Sequence, residues 1–444
     1  MINLKGELFA TAVSFGAMAM LRLVSGVVLT RLLYPEAYGI VTMVASVAFV
    51  MEMLSDVGVL GLMVRHPQAD QQHFINTMWT IRLVRGAINA AVLFLVAPLL
   101  AQLYQAPQLT GALRIFSGWF VIFGMESTSF ALAVRRQNSR LVNYTELGAT
   151  VVSTAFVITV SYFWRDHRGM IWGMLVNRAL MTAASFCFYR HERPRLQFDR
   201  SVAKESMGFA RYTVPSSLVT LLVSQFDKFV FLKLFPIQML GLYGLAGNVA
   251  GPVDGLVAKI ARSVLFPRCA EAFRREPSSV RDKYYSQNVK LVALILFMPA
   301  ALAGASELIV HVLFDRRYAY AWVILQAFAL RGMFGAMAAM SENVLVATDT
   351  PRPLLIGNLL RAVWLVPGTL LGWYLWGFTG FLYMAMLETL PGLAFFLWLQ
   401  HRRGLMIPKY EALKVAFMGA VFMASLAASS QLIAIVPPIR GGGV

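Results

Sequence analysis

Apolar runs about as long as a bilayer is thick recur along the whole chain with only short polar breaks. With roughly 20 residues needed per crossing, the runs predict helical spans at 10–31, 38–62, 77–103, 111–134, 141–164, 169–189, 208–235, 240–266, 289–314, 320–347, 354–376, 380–399 and 413–436. The longest breaks follow the sixth and eighth runs. Hydrophobic residues make up 58% of the chain and charged residues 14%, a balance foreign to soluble domains. Arg22 interrupts the first run, which reads as a retained helix rather than a cleavable signal.

Basic residues orient the spans. With a cytoplasmic N-terminus, roughly 20 Lys and Arg fall inside and roughly 7 outside, the inside groups including Arg135, Arg136 and Arg140, then Arg190, Arg193, Arg195, Arg200 and Lys204. The net charge of +17 then follows from topology and anionic headgroups, and no nucleic-acid partner is needed. Cys187 and Cys269 give no disulfide framework and no metal spacing. No GxxxxGK[ST] motif and no extramembrane stretch of domain size are present, so ATP hydrolysis by this chain is not expected. No cofactor and no covalent chemistry are expected either. A membrane glycosyltransferase would be expected to carry a substantial external loop with acids, and the outside segments are short.

The chain partly repeats itself. Val28-Leu29-Thr30-Arg31-Leu32-Leu33 leads through a proline turn to Gly39, and Val230-Phe231-Leu232-Lys233-Leu234-Phe235 leads through a similar turn to Gly241. At the same register Glu52 falls on Asp254. A weaker echo pairs Asn138-Ser139-Arg140-Leu141 with Thr350-Pro351-Arg352-Pro353. Six helices separate matching elements, so the repeats are parallel. The expected architecture is an all-α polytopic membrane protein of about 12–14 transmembrane helices, two six-helix lobes around a central cavity. The lobes run over 1–190 and 207–400, joined by a solvated cytoplasmic linker at 191–206 and followed by an extra helix and tail at 401–444.

Most spans carry charges near mid-depth, where they are costly and mark function. Glu52 and Asp56 are four apart and Arg82 and Arg85 three apart, so each pair shares a helix face. Arg22, Arg82, Arg85, Arg178, Lys228, Lys259 and Arg331 would give a cationic cavity for an anionic substrate such as a diphosphate, because Arg stays charged and grips phosphate in bidentate fashion. Glu52, Asp56, Glu126, Asp227 and Asp254 are candidates for taking up and releasing coupling protons. The alternative is that such charges pair across helices as glue, and Glu146, Glu342 and Arg361 lie near enough to the boundary to snorkel. Gly251-Pro252 before Asp254 suggests a hinge.

The stretch Leu29-Thr30-Arg31-Leu32-Leu33-Tyr34-Pro35-Glu36-Ala37-Tyr38-Gly39 resembles the joint after the first helix of the polysaccharide (O-antigen and exopolysaccharide, Wzx-like) flippases. These form a branch of the multidrug/oligosaccharidyl-lipid/polysaccharide exporter superfamily. Phe226-Asp227-Lys228 with Leu240-Gly241-Leu242-Tyr243-Gly244-Leu245-Ala246, and Ala131-Leu132-Ala133-Val134-Arg135-Arg136 with Arg140 and Glu146, resemble later landmarks of the same family. The resemblance implies flipping of an undecaprenyl-diphosphate-linked oligosaccharide from the cytoplasmic to the periplasmic leaflet of a bacterial inner membrane by alternating access. Membrane lipids, a polysaccharide polymerase and a chain-length regulator are the implied partners. It places Arg22, Asp227 and Lys228 on helices lining the cavity. It also implies an even number of spans, whereas the thirteenth run would leave the tail at 440–443 outside. A drug/cation antiporter of the same architecture and a non-transporting scaffold of a glycan-assembly complex are the alternatives.

Overall fold

The computed structural model describes residues 4–56, 58–136, 139–187, 194–276, 280–348 and 352–435. The start of the linker at 191–193, Asn138 and 350–351 of the weaker echo, and the tail at 440–443 lie outside the described residues. The described chain is nearly all helical. It runs α1 (Leu4–Leu32), α2 (Pro35–Ser55), α3 (Val59–Arg65), α4 (Gln72–Leu103), α5 (Gln108–Met125), α6 (Ser129–Arg135), α7 (Ser139–Trp164), α8 (His167–Cys187) and α9 (Arg200–Leu234). It continues through α10 (Ile237–Ile260), α11 (Phe266–Arg275), α12 (Val280–Gln287), α13 (Val289–Leu313), α14 (Ala321–Thr348), α15 (Arg352–Met386), α16 (Thr389–Arg402) and α17 (Pro408–Ile435). Among the described residues nine helical stretches are long and apolar enough to cross a membrane, and the bent pair α5 and α6 makes a tenth. One of the nine, Arg352–Arg402, holds 51 residues, enough for two crossings, and α15 kinks at Gly377, whose φ of 61° favours glycine. Large apolar side chains such as Leu95, Leu99, Val363 and Leu375 point outward, as a lipid-facing surface requires. This is a polytopic helical membrane protein.

The chain forms two compact units, residues 1–221 with 232–241, and residues 222–231 with 242–444. Lipid removes most of the hydrophobic drive between helices, so close packing relies on small residues. In the first unit α4 and α5 meet at Gly86 and Gly124: a Cβ on Gly86 would stand 2.5 Å from the Phe120 carbonyl oxygen. In the second unit α13 packs on α14 and α17. There a Cβ on Gly304 would stand 2.5 Å from the Phe422 carbonyl oxygen.

Three predicted spans are interrupted. The run at 38–62 stops after Ser55 and resumes at Val59 from Gly58, whose φ is 73°. The run at 111–134 bends by 55° between α5 and α6. The run at 380–399 breaks at Leu387 and Glu388, because Pro391 has no N–H to offer the Leu387 carbonyl; Leu390 N–H bonds it instead at 3.0 Å. At Gly251-Pro252, the expected hinge, α10 continues through Pro252 without a break in the helix. The irregular turn is a π-helix at Ala261–Leu265, next to Pro267, which supplies no N–H to the preceding turn.

Residues 195–198 of the linker are exposed yet hydrogen-bonded to α4. Asn76 on α4 accepts from Arg195 N–H at 2.9 Å and donates to the Gln197 side chain at 2.8 Å. Thr80 donates to the Gln197 carbonyl at 3.0 Å, and Thr77 accepts from Asp199 N–H at 3.1 Å. Residues 195–199 are thus pinned along α4 before Asp199 caps α9, its carboxyl held below the usual range by the Ser201 hydroxyl and amide.

Candidate functional site

A helix break inside a membrane frees backbone groups, and each unpaired one costs several kcal/mol. At the α5 to α6 break several of the freed groups find partners on α4 or α8. Thr182 donates to the Ile122 carbonyl at 3.0 Å, Arg82 Nε to that of Phe123 at 3.1 Å, and Trp79 Nε1 to that of Met125 at 3.0 Å. Ser127 N–H donates to Ser185 Oγ at 3.0 Å, and Ser129 Oγ donates to the Ser185 carbonyl at 2.9 Å.

The break aims Glu126 inward. Its Oε1 lies 2.6 Å from Arg82 Nη2 and its Oε2 2.9 Å from Arg178 Nη1. The Arg82 guanidinium lies 4.3 Å from the Phe123 ring centre, and that of Arg178 lies over both Phe123 and Trp119. The α2 to α3 break is built the same way. Asp56 Oδ1 accepts from Gly58 N–H at 3.0 Å and from Arg85 Nη1 at 3.1 Å, while Asn89 donates to Ser55 Oγ at 2.7 Å. Two of the expected substrate-gripping cations, Arg82 and Arg178, are therefore tied to Glu126, and Arg85 is tied to Asp56. Glu52, with no ion pair within 4 Å among the described residues, lies in the field of Arg178 and Arg85. Arg22 is exposed on α1 and likewise without an ion pair among the described residues.

The second unit repeats the design with other helices. Glu388, at the break before α16, lies 3.0 Å from Arg361 Nη2 and 3.8 Å from Arg331 Nη1. The Arg331 guanidinium stands 4.8 Å from the Phe328 ring centre, Phe328 packs edge-on to Tyr243, and the Tyr243 hydroxyl donates to Asp227. Lys228 Nζ donates to Gln225 at 2.9 Å. Asp254 packs on Gly332, where an added Cβ would stand 2.7 Å from its Oδ1. Lys259 sits further along α10, partly buried and interacting.

Counting spans, the fourth and sixth carry Glu126 and Arg178, while the tenth and twelfth carry Arg331 and Glu388. The same brace recurs with its charges exchanged. Each carboxylate faces two guanidiniums, with Glu52 in the field of the first cluster and Asp227 and Asp254 in that of the second. Arg178 Nε and Arg361 Nε are also buried without a hydrogen-bond acceptor among the described residues. Glu388 and Arg361 were not among the expected site residues, and Arg361 pairs with Glu388 instead of snorkelling. Pro391 was the available signal, since a proline three residues on places a break at Glu388. No group of His, Cys, Asp or Glu among the described residues could hold a metal ion.

A family model described as polysaccharide biosynthesis protein matches residues 28–322. The chain belongs to this family. It is 22% identical over 379 residues to the lipopolysaccharide biosynthesis protein WzxC of Escherichia coli, covering 85% of this chain and 75% of that one. It is also 22% identical over 337 residues to the succinoglycan biosynthesis transport protein ExoT of Rhizobium meliloti, covering 76% and 66%. Among solved structures, the lipid II flippase MurJ in an inward closed conformation matches with a TM-score of 0.73 at 12% identity, over 97% of this chain and 94% of that one. An inward-facing multidrug resistance MATE family transporter of the MOP superfamily matches with a TM-score of 0.65 at 12% identity, over 87% and 95%. The family expected from the joint residues is borne out, as is the polytopic helical fold.

Proposed function

We propose that the chain is a flippase that carries undecaprenyl-diphosphate-linked oligosaccharides from the cytoplasmic to the periplasmic leaflet of a bacterial inner membrane, with its N-terminus in the cytoplasm. The observation that carries this reading is the pair of clusters at Glu126 and Glu388, each with two guanidiniums on one carboxylate. Guanidiniums held at mid-depth are costly and mark function, and a guanidinium satisfies diphosphate oxygens with parallel hydrogen bonds. The family and the names of its relatives supply the polysaccharide context.

Glu52 and Asp254, which occupy one register of the sequence repeat and make no ion pair within 4 Å among the described residues, are the acids proposed to couple transport to an ion gradient. Arg22, exposed on α1, is proposed to meet the cargo directly. The two units would alternate access to it as parallel lobes, without covalent chemistry and alongside a polymerase and chain-length regulator.

The test is the sidedness of undecaprenyl-linked repeat units in inner-membrane vesicles from cells lacking the protein and from complemented cells. Accumulation on the cytoplasmic face, relieved by the intact gene and not by a well-expressed Arg22→Ala variant, is the expected result. An unchanged distribution in a strain with no second flippase would instead favour an antiporter or a scaffold.

A further inference from the structure

An open cavity lies in the first unit, away from the charge clusters. It spans about 870 Å³ between the turn before α5 and the turn joining α7 to α8, and its lining includes Gln108, Arg114, Trp164, Asp166, Arg168 and Trp172. The basic-residue asymmetry assigns both turns to the outer side.

Both turns are held in a backbone conformation that side chains disfavour. Gln105 has φ of 53° and Arg165 has φ of 50°, and among the described residues these are the two non-glycine residues with positive φ. Each residue terminates a helix: Ala106 N–H after Gln105 bonds the Ala101 carbonyl at the end of α4, and Arg165 N–H bonds the Ser161 carbonyl at the end of α7, so both turns are fixed by helix C-caps. Arg165 separates Trp164, which ends α7, from Asp166, which precedes α8, so this turn sets an indole and a carboxylate on the same wall.

The chemistry of the lining is that of a saccharide site. Trp164 is 54% exposed and Trp172 40% exposed, and both line the cavity, offering flat apolar faces to sugar rings. Gln108 supplies a donor and an acceptor for ring hydroxyls. Asp166 accepts from His167 N–H and pairs with Arg168 at 3.3 Å. Arg114 is exposed, rests 4.8 Å from the Phe94 ring centre, and makes no ion pair among the described residues. Two guanidiniums against one carboxylate leave a cation that suits a sugar carboxylate. A phosphodiester headgroup carries the same single negative charge as a sugar carboxylate, so it is the pair of indole faces on the cavity wall that favours a glycan. Tyr162 and Phe163, 60% and 74% exposed just before Trp164, supply the lipid-facing aromatics expected at a membrane boundary; the two indoles line the cavity instead.

We propose that this cavity is an acidic-glycan site on the outer face, which holds the sugar portion of the cargo after it has crossed. The proposal takes its glycan from the flippase reading, but its test does not need flipping. Full-length protein in phosphatidylcholine nanodiscs is titrated with tetragalacturonate and with maltotetraose by calorimetry. Saturable binding of the uronate at least tenfold tighter than the neutral sugar is expected. Trp172→Ala and Arg114→Gln should each weaken it at least tenfold, and Trp172→Phe should retain most of it; monodispersity on gel filtration controls for folding, and Arg114→Gln alters only an exposed side chain.

Equal binding by monodisperse variants, or no binding at all, would overturn the site. So would competitive loss of binding in phosphatidylglycerol nanodiscs, which would make it a headgroup site. Absence of uronate binding alongside normal flipping in vesicles sinks this inference alone; binding without flipping sinks the flippase reading alone.

Discussion

Gly39 and Gly241 lie reciprocally against each other's helix joint: a Cβ on Gly39 would stand 2.1 Å from the Ile237 carbonyl oxygen, and one on Gly241 would stand 1.9 Å from that of Pro35. Glu36 and Gln238, at the same joints and 202 positions apart, are hydrogen-bonded, and the two glycines share that offset. The sequence repeat therefore closes on itself, equivalent residue against equivalent residue, in the first unit. Neither glycine can gain a methyl group without parting the two backbones.

If transport requires these joints to separate, tying them together should stop it. Cysteines introduced as Glu36→Cys with Gln238→Cys are expected to form a disulfide under mild oxidation and to abolish flipping in the vesicle assay. Reduction should restore it. Full transport by the oxidised protein would show that the joints stay together throughout the cycle.

Glu126 is the common acceptor of Arg82 and Arg178 and is nearly inaccessible, its side chain 6% exposed. Removing one partner from a buried ionic network strands the others, at about 3–5 kcal/mol. Glu126→Gln is expected to lose stability of that order in SDS titration of the purified protein. Arg178→Gln should lose less, because Arg82 remains to pair the carboxylate. A loss under about 1 kcal/mol for Glu126→Gln would mean that solvent screens the cluster.

Asp254→Asn preserves the shape of the side chain against Gly332 and removes its capacity to carry a proton. Flipping by this variant is expected to lose its dependence on an imposed proton gradient while substrate-dependent thermal stabilisation remains. Unchanged gradient dependence would make Asp254 a packing residue.

At the boundary, Asp70 pairs with Arg135 and Arg136 at 3.0 Å each, and Arg135 also donates to the Val64 and His66 carbonyls that end α3. The Arg136 hydrogen bond, with the charge of Arg135 beside it, holds the Asp70 carboxyl below its usual range. A group with a lowered native pKa contributes stability that is complete above its unfolded value, about pH 4, and is lost as pH falls through the native one. The stability gap between the parent and Asp70→Asn should thus be constant near neutrality and close in acid. It should not exceed about 1 kcal/mol, since the carboxylate is 47% exposed and screened. A gap that persists at pH 2 would mean that Asp70 acts by shape and not by charge.

The helical membrane class and most span positions were legible in the sequence, because hydropathy over a span's length is a local property. The parallel repeat of the joints was legible too, since a recurring turn leaves the same short motif twice. The breaks were legible only in part. Pro391 announces one, but the α5 to α6 bend contains no proline, and its stability depends on Thr182, Ser185, Arg82 and Trp79 arriving from distant parts of the chain.

The site divides along the same line. Sequence alone determined that Arg82, Arg178, Arg331 and Glu126 lie at membrane depth, because burial of charge in an apolar run is visible residue by residue. Which charges meet was decided by tertiary structure. Ion pairing is set by helix rotation and by the angle of each break, so one carboxylate, Glu126 or Glu388, came to hold two guanidiniums. The cavity around Trp164 and Trp172 has the same origin, since two turns some sixty residues apart share it only once α5 and α8 have packed together.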